Sequence, residues 1–146
     1  MQVFIGSDHA GCNLKEELKP HLKKFGLEVE DLGVFNQEKA DYPDIAKAVA
    51  EKVASNEGSR GVLICGSGVG MSMAANKVKG IRAAQAYDVT VAKYSRLHND
   101  ANVLCLGERM TGVLVAKEIL DVFMMTEFEG GRHEGRVQKI TDIENA

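Results

Sequence analysis

The stretch GVLICGSGVGMSMAANK, Gly61 to Lys77, holds residues whose types and spacing could do chemistry. Cys65 ends an apolar run, and Gly66, Gly68 and Gly70 follow at every second position. Glycines so placed let the backbone approach a ligand closely. Successive N–H groups at a helix start can then form an anion-binding nest. A tight strand-to-helix turn needs the same glycines with no ligand at all. A thiol beside a helix N-terminus is stabilised as the thiolate, whereas a buried free cysteine is ordinarily an inert small hydrophobe. The loop is not a Walker A sequence. It also misses G-x-G-x-x-G, because its third glycine comes one residue early. Asp88 stands about where an acidic ribose ligand follows such a loop, so a nucleotide-binding reading stays open.

Four more sets of residues deserve the same two-sided reading. Asp8 and His9 follow the apolar run Val3–Ile5, where an aspartate is also the ordinary helix cap. His98, Asn99 and Asp100 stand just before the apolar run NVLCLG, at a helix C-terminus where the dipole favours a cation. Arg132 and Arg136 in EGGRHEGR are four apart, a spacing at which like charges on a helix repel. A phosphate dianion between them reverses that sign and can accept bidentate bonds; a solvated face is the plain alternative. Arg109, in the turn after NVLCLG, is a third cation of this kind. No histidine pair has i, i+4 spacing and no third ligand is evident, so no metal is expected. Cys105, between Leu104 and Leu106, reads as inert, and Cys12 as structural.

These residues need elements to hold them. Val3–Ile5 reads as a first strand. Leu14, Leu18, Leu22 and Phe25 recur at helical spacing, with Pro20 interrupting that helix and Gly26 as its stop. LEVEDL suits an edge strand, and Asp41 before Pro43 starts a second helix with Ile45, Val49 and Val53, and Ala46, Ala50 and Ala54, on its inner face. GVLIC reads as a central parallel strand buried on both faces. GIRAAQAY is a weaker strand, Asp88–Leu97 a helix, NVLCLG a strand and Thr111–Met124 an apolar-striped helix. The segment from Arg132 is polar, with Val137, Ile140 and Ile143 on one side. Alternating strands and helices imply an α/β fold with a mostly parallel sheet. Ligands in such sheets lie beyond the carboxyl ends of the strands. That rule selects SDH, CGSGVG and GER, and puts His98 at the wrong end of its own sheet.

The 146 residues suit one domain, 1–146, and are enough to bury a core without staples. Apolar residues at 45% and a net charge of −3 leave no overall nucleic-acid signature. MQVFIGSDHAG lacks the basic and apolar regions of a signal peptide, and no apolar run spans a membrane. Three widely spaced cysteines are neither a disulfide framework nor a zinc pattern, so a reduced, cytoplasmic setting is expected.

Taken in order, GSDHAG, DYPD, CGSGVGMSMAANK, RLHNDANVL, GER and EGGRHEGR resemble the ribose-5-phosphate isomerase B family, which includes the galactose-6-phosphate isomerase subunits. The resemblance runs nearly end to end. It implies a three-layer, Rossmann-like α/β/α sandwich on a five-stranded parallel sheet of order 2-1-3-5-4. It also implies an aldose–ketose isomerase of ribose 5-phosphate and ribulose 5-phosphate, without metal or cofactor, with a hexose 6-phosphate of galactose or allose type as the alternative substrate. By the same resemblance, Cys65 moves a proton between C2 and C1. The N–H groups of Gly66, Ser67, Gly68, Val69 and Gly70 hold the enediolate oxygen. His98 opens the furanose ring with Asn99 beside it, Asp8 and His9 contact the sugar, and Arg109, Arg132 and Arg136 take the phosphate. The family forms dimers, or dimers of dimers, with shared sites, which lets His98 serve a neighbour and gives the C-terminal helix a place at the site or the interface. One subgroup replaces the cysteine by a glutamate just after the loop. Here that place is Met71, so the cysteine chemistry applies; Ser67, often Thr in the family, keeps the hydroxyl.

Overall fold

The computed structural model describes all residues, Met1–Ala146. Five strands, β1 (Gln2–Ser7), β2 (Glu28–Asp31), β3 (Arg60–Cys65), β4 (Ala83–Gln85) and β5 (Val103–Gly107), form one sheet of order β2-β1-β3-β5-β4. Every pairing is parallel, with Ile5 opposite Val62 and Val62 opposite Leu104. The order and the parallel sense are those the resemblance implied. β3 and β5 occupy the middle and are buried at every residue, apolar but for Arg60 at the start of β3, whereas the acidic β2 and the three-residue β4 are the edges.

Two apolar layers flank the sheet because side chains alternate along each strand. Val3, Ile5, Val62, Ile64, Leu104 and Leu106 pack under α1 (Cys12–Lys23), α4 (Val89–Leu97) and α5 (Val113–Met125). Phe4, Leu63, Cys65, Val103 and Cys105 pack under α2 (Tyr42–Ala54) and α3 (Val69–Ala75). α6 (Arg132–Glu144) completes the chain and buries only His133. No helix is long and apolar enough to cross a membrane.

Several expectations need correction. β1 runs through Gly6 to Ser7 instead of stopping at the glycine. α1 continues through Pro20 to Lys23, and Lys24 N–H still reaches the Pro20 carbonyl at 3.2 Å; Phe25 lies past the helix and is half exposed. Asp41 is the N-cap residue of α2 by position, but its side chain makes no capping bond, and Ala54 faces solvent. Lys15, a charged residue on an amphipathic helix, is fully buried under the β2 edge. Its ammonium donates to both Asp31 oxygens (2.7 and 2.8 Å) and to the Val34 carbonyl (2.7 Å).

Candidate active site

The carboxyl ends of β1, β3 and β5 open into a cleft of about 480 Å³. Asp8, His9, Cys65, Gly66, Ser67, Gly70 and Arg109 line it, as the strand-end rule required, together with Tyr42 and Met110. Asp8 is buried and performs the capping job of the plain reading. Its Oδ1 accepts from Ala10 and Gly11 N–H at 3.0 and 3.2 Å, which turns the chain through a short 3-10 segment into α1. His9 stands exposed at the mouth.

Cys65 ends β3 at the cleft floor, buried with 5% of the residue exposed, and the Gly68 N–H donates to Sγ at 3.1 Å. That bond requires the loop to double back. Gly68 does so at φ +83°, a conformation costly to any residue with a side chain, with the Leu106 backbone 3.0 Å from where a Cβ would be. Val69 N–H is directed to the Ser67 hydroxyl at 3.2 Å. Thus two of the five loop N–H groups expected to hold an oxyanion are engaged within the loop itself. Gly68 is buried and Val69 points outward, so neither lines the cleft. The loop is fixed from outside by Gln85, whose amide donates to the Ser67 carbonyl at 2.6 Å, and by the Tyr87 hydroxyl.

Arg109 is carried to the cleft by the backbone. Its N–H donates to the Gly66 carbonyl at 3.1 Å, and its guanidinium lies over Gly66, 3.5 Å from the place of a Cβ. Its neighbour Glu108 faces away and accepts from the Leu14 N–H at 2.6 Å, tying α1 to the same turn. Tyr42 is the first residue of α2, next to Asp41. Its ring packs over Gly70, where a Cβ would stand 2.5 Å from it. The signal was present in DYPD, but only the fold shows that the first turn of α2 overhangs the glycine loop.

The remaining residues lie elsewhere. His98 is the C-cap of α4, before β5, whereas Cys65 is level with Gly107 at the far end of β5. Asn99 is exposed at the same lower end, its carbonyl accepting from Arg82 Nε at 3.0 Å. Arg132 and Arg136 are exposed on the first turns of α6, which begins beside His98 rather than beside Cys65. In one chain the residues expected to share a site therefore form two half-sites at opposite ends of the sheet.

In the lower half-site the His98 and His133 rings stack, centroids 4.2 Å and planes 14° apart, and Glu129 Oε2 lies 3.8 Å from His98 Nε2. Donor atoms of His98, Glu129 and His133 come within 4.8 Å of one another, a grouping the sequence spacing did not reveal. In-plane lone pairs on stacked rings run side by side rather than converging, and the charges of Arg132 and Arg136 reach this corner. The arrangement therefore suits an anion better than a cation. Burial, then the charges of His98, Arg132 and Arg136, hold His133 below the ordinary imidazole value despite Glu129. Asp88 is the N-cap of α4, accepting from Val91 N–H at 2.8 Å, the ordinary role of an aspartate at a helix start. A larger polar hollow of about 670 Å³ lies at the lower end. Its Arg60, Arg82 and Arg96 are committed to backbone carbonyls and to Asp100, so it holds the fold rather than a ligand.

Comparison with known proteins gives the family of the chain. Residues 3–140 match the family model described as Ribose/Galactose Isomerase. The chain is 48% identical over 143 residues to ribose-5-phosphate isomerase B of Escherichia coli, covering 98% of this chain and 96% of that protein. It is 42% identical over 147 residues to a galactose-6-phosphate isomerase subunit of Clostridium acetobutylicum, covering 99% and 85%. The solved structure of ribose-5-phosphate isomerase B from Clostridium thermocellum superposes with a TM-score of 0.97 at 53% identity, covering 99% of this chain and 98% of that one.

Proposed function

The chain belongs to the ribose/galactose isomerase family, and from that premise we propose that it interconverts ribose 5-phosphate and ribulose 5-phosphate by proton transfer through an enediolate. The observation that carries this reading is Cys65 Sγ at the floor of a strand-end cleft, bonded to Gly68 N–H and faced by Arg109. A thiolate there takes the proton from C2 of the open aldose, and charge passes to O1. The same sulfur returns the proton to C1 while a proton moves from O2 to O1, leaving the carbonyl at C2. The loop N–H groups of Gly66, Ser67 and Gly70 are the candidate donors to the developing oxyanion, a role typically worth a few kcal/mol per donor. Asp8 and His9 are placed to contact sugar hydroxyls.

Ring opening and phosphate binding need His98, Asn99, Arg132 and Arg136, which one chain holds at its other end. We propose a two-fold dimer in which each cleft receives these residues from its partner, beside its own Arg109. The hexose 6-phosphate reading is favoured by one observation, the 42% identity to a galactose-6-phosphate isomerase subunit. A coupled assay across pentose 5-phosphates and hexose 6-phosphates, without nucleotide or added metal, decides between them. The proposal expects turnover of ribose 5-phosphate with the higher kcat/KM. Absence of pentose turnover overturns it.

A further inference from the structure

His98 is not a lone imidazole at a helix end. It is about one-third exposed, yet His133 stacks on it at 4.2 Å, and Tyr94, one turn earlier on α4, packs against it at 4.9 Å with a 49° tilt. Glu129 N–H donates to the Leu97 carbonyl at 3.1 Å, so the segment leading into α6 is fastened to the end of α4 just before His98. His133 is 4% exposed, is the single buried residue of the thirteen in α6, and its Nε2 has no hydrogen-bond partner. A helix needing only an apolar anchor has no use for a ring that leaves a buried nitrogen unsatisfied. The same helix carries Arg132 and Arg136 on either side of that anchor.

We propose that His133 is a positioning residue for ring opening: its stacked ring fixes the plane of His98. This rests on the reading of His98 as the ring-opening residue. A proton donor or acceptor must meet the ring oxygen within hydrogen-bond reach and in the plane of its lone pair. A half-open imidazole free to rotate loses that alignment, and the stack restores it. The role is distinct from holding phosphate, which would act equally on every step of the reaction.

The test separates ring opening from carbon-proton transfer within one substrate pair. Ribulose 5-phosphate cannot close a furanose ring, so exchange of its C1 proton with D2O needs only the Cys65 half of the reaction. Turnover of ribose 5-phosphate needs both halves. Relative to wild type, His133→Ala is expected to lower kcat on the aldose about tenfold with KM little changed, while C1 exchange stays within about twofold, as small misplacements of a catalytic group do. Exchange at that rate also proves the variant folded. His133→Phe, which keeps a flat ring in the stack, is expected to recover most of the loss. A raised KM with both readouts falling together, or no rescue by Phe, overturns the positioning role. Unchanged aldose turnover in His133→Ala also overturns it if His98→Ala shows the selective loss. If His98→Ala itself spares aldose turnover or depresses exchange equally, the ring-opening reading of His98 fails first.

Discussion

A mixture of two damaged chains should regain activity that neither has alone. β5 separates the two half-sites: Cys65 is level with Gly107, and His98 lies before Val103. Five residues at roughly 3.3 Å each make about 17 Å, against the roughly 3 Å across which an imidazole can pass a proton. Cys65→Ala and His98→Ala homodimers should each fall about 10²- to 10⁴-fold in turnover of ribose 5-phosphate, the usual worth of a lost acid or base. Equal mixing under reversible dissociation makes half of the dimers heterodimers. In each, one cleft joins an intact Cys65 to an intact His98, and the other lacks both. Activity should rise to about one quarter of wild type per chain. A second mixture sharpens the result. Wild type mixed equally with the doubly substituted chain should fall from about half to about a quarter of wild-type activity, because every heterodimer cleft then has one defect. The assay is coupled turnover, with heterodimers counted by native mass spectrometry. If heterodimers form while the first mixture stays inactive and the second keeps half activity, His98 serves its own chain and the shared site is refuted.

Other perturbations act on one half-site or on the scaffold. Arg136→Ala should raise KM for the sugar phosphate at least about tenfold, the loss expected of a charge-assisted bond; an unchanged KM returns it to a solvated face. Cys105 is fully buried, and burial followed by the charge of Cys65 holds its thiol far above the ordinary range. It should resist iodoacetamide at pH 8 until the protein unfolds, and Cys105→Ala should cost about 1–2 kcal/mol in urea denaturation through a small cavity. For Asp31, burial opposes ionisation, but the bonds from Lys15 and Lys19 outweigh it and hold the carboxyl below its ordinary 3.8. A depressed carboxyl adds stability above its unfolded value, near pH 4, and loses it as pH falls through the folded value. Asp31→Asn should therefore flatten the acid limb of the stability curve. It should cost about 3 kcal/mol at pH 7, because buried Lys15 is left with only the exposed Glu16 carboxylate at 3.6 Å.

What the sequence disclosed was what lies close along the chain. The run GVLIC, the glycines after it and the position of Cys65 at their junction form one contiguous signal, and the fold keeps them contiguous. The strand-end rule then brought Asp8, His9 and Arg109 to the same cleft without any measured distance. Where contacts cross many residues, the pattern was silent. Tyr42 reaches Gly70 only because α2 and α3 lie side by side on one face of the sheet. Lys15 reads as a polar residue on an amphipathic helix, and only its pairing with Asp31 sixteen positions later makes it part of the interior. The loop N–H groups looked equivalent, yet the left-handed turn at Gly68 aims one of them at sulfur. The His98–His133 stack joins residues thirty-five apart, each with an adequate local account of its own.

The misplacement of His98 was nevertheless legible from topology alone, and it bears on α6 as well. Thirteen residues are a marginal length for a helix standing by its own propensity in water, and this one buries a single side chain in its own chain. Ile140 is 42% exposed and Ile143 is 75% exposed, one turn apart on the same side. The helix is held at its start by His133 and at its end by Glu144, which accepts from the Gly80 N–H at 3.1 Å, and its exposed apolar ridge calls for a covering surface. The same helix begins with the two arginines that the cleft of Cys65 lacks. A second copy related by a two-fold axis can cover the ridge and deliver Arg132, Arg136 and His98 in a single contact. If the proposed dimer forms in this way, one contact covers the ridge and brings the two half-sites together, so substitutions on the ridge should weaken assembly and phosphate binding together.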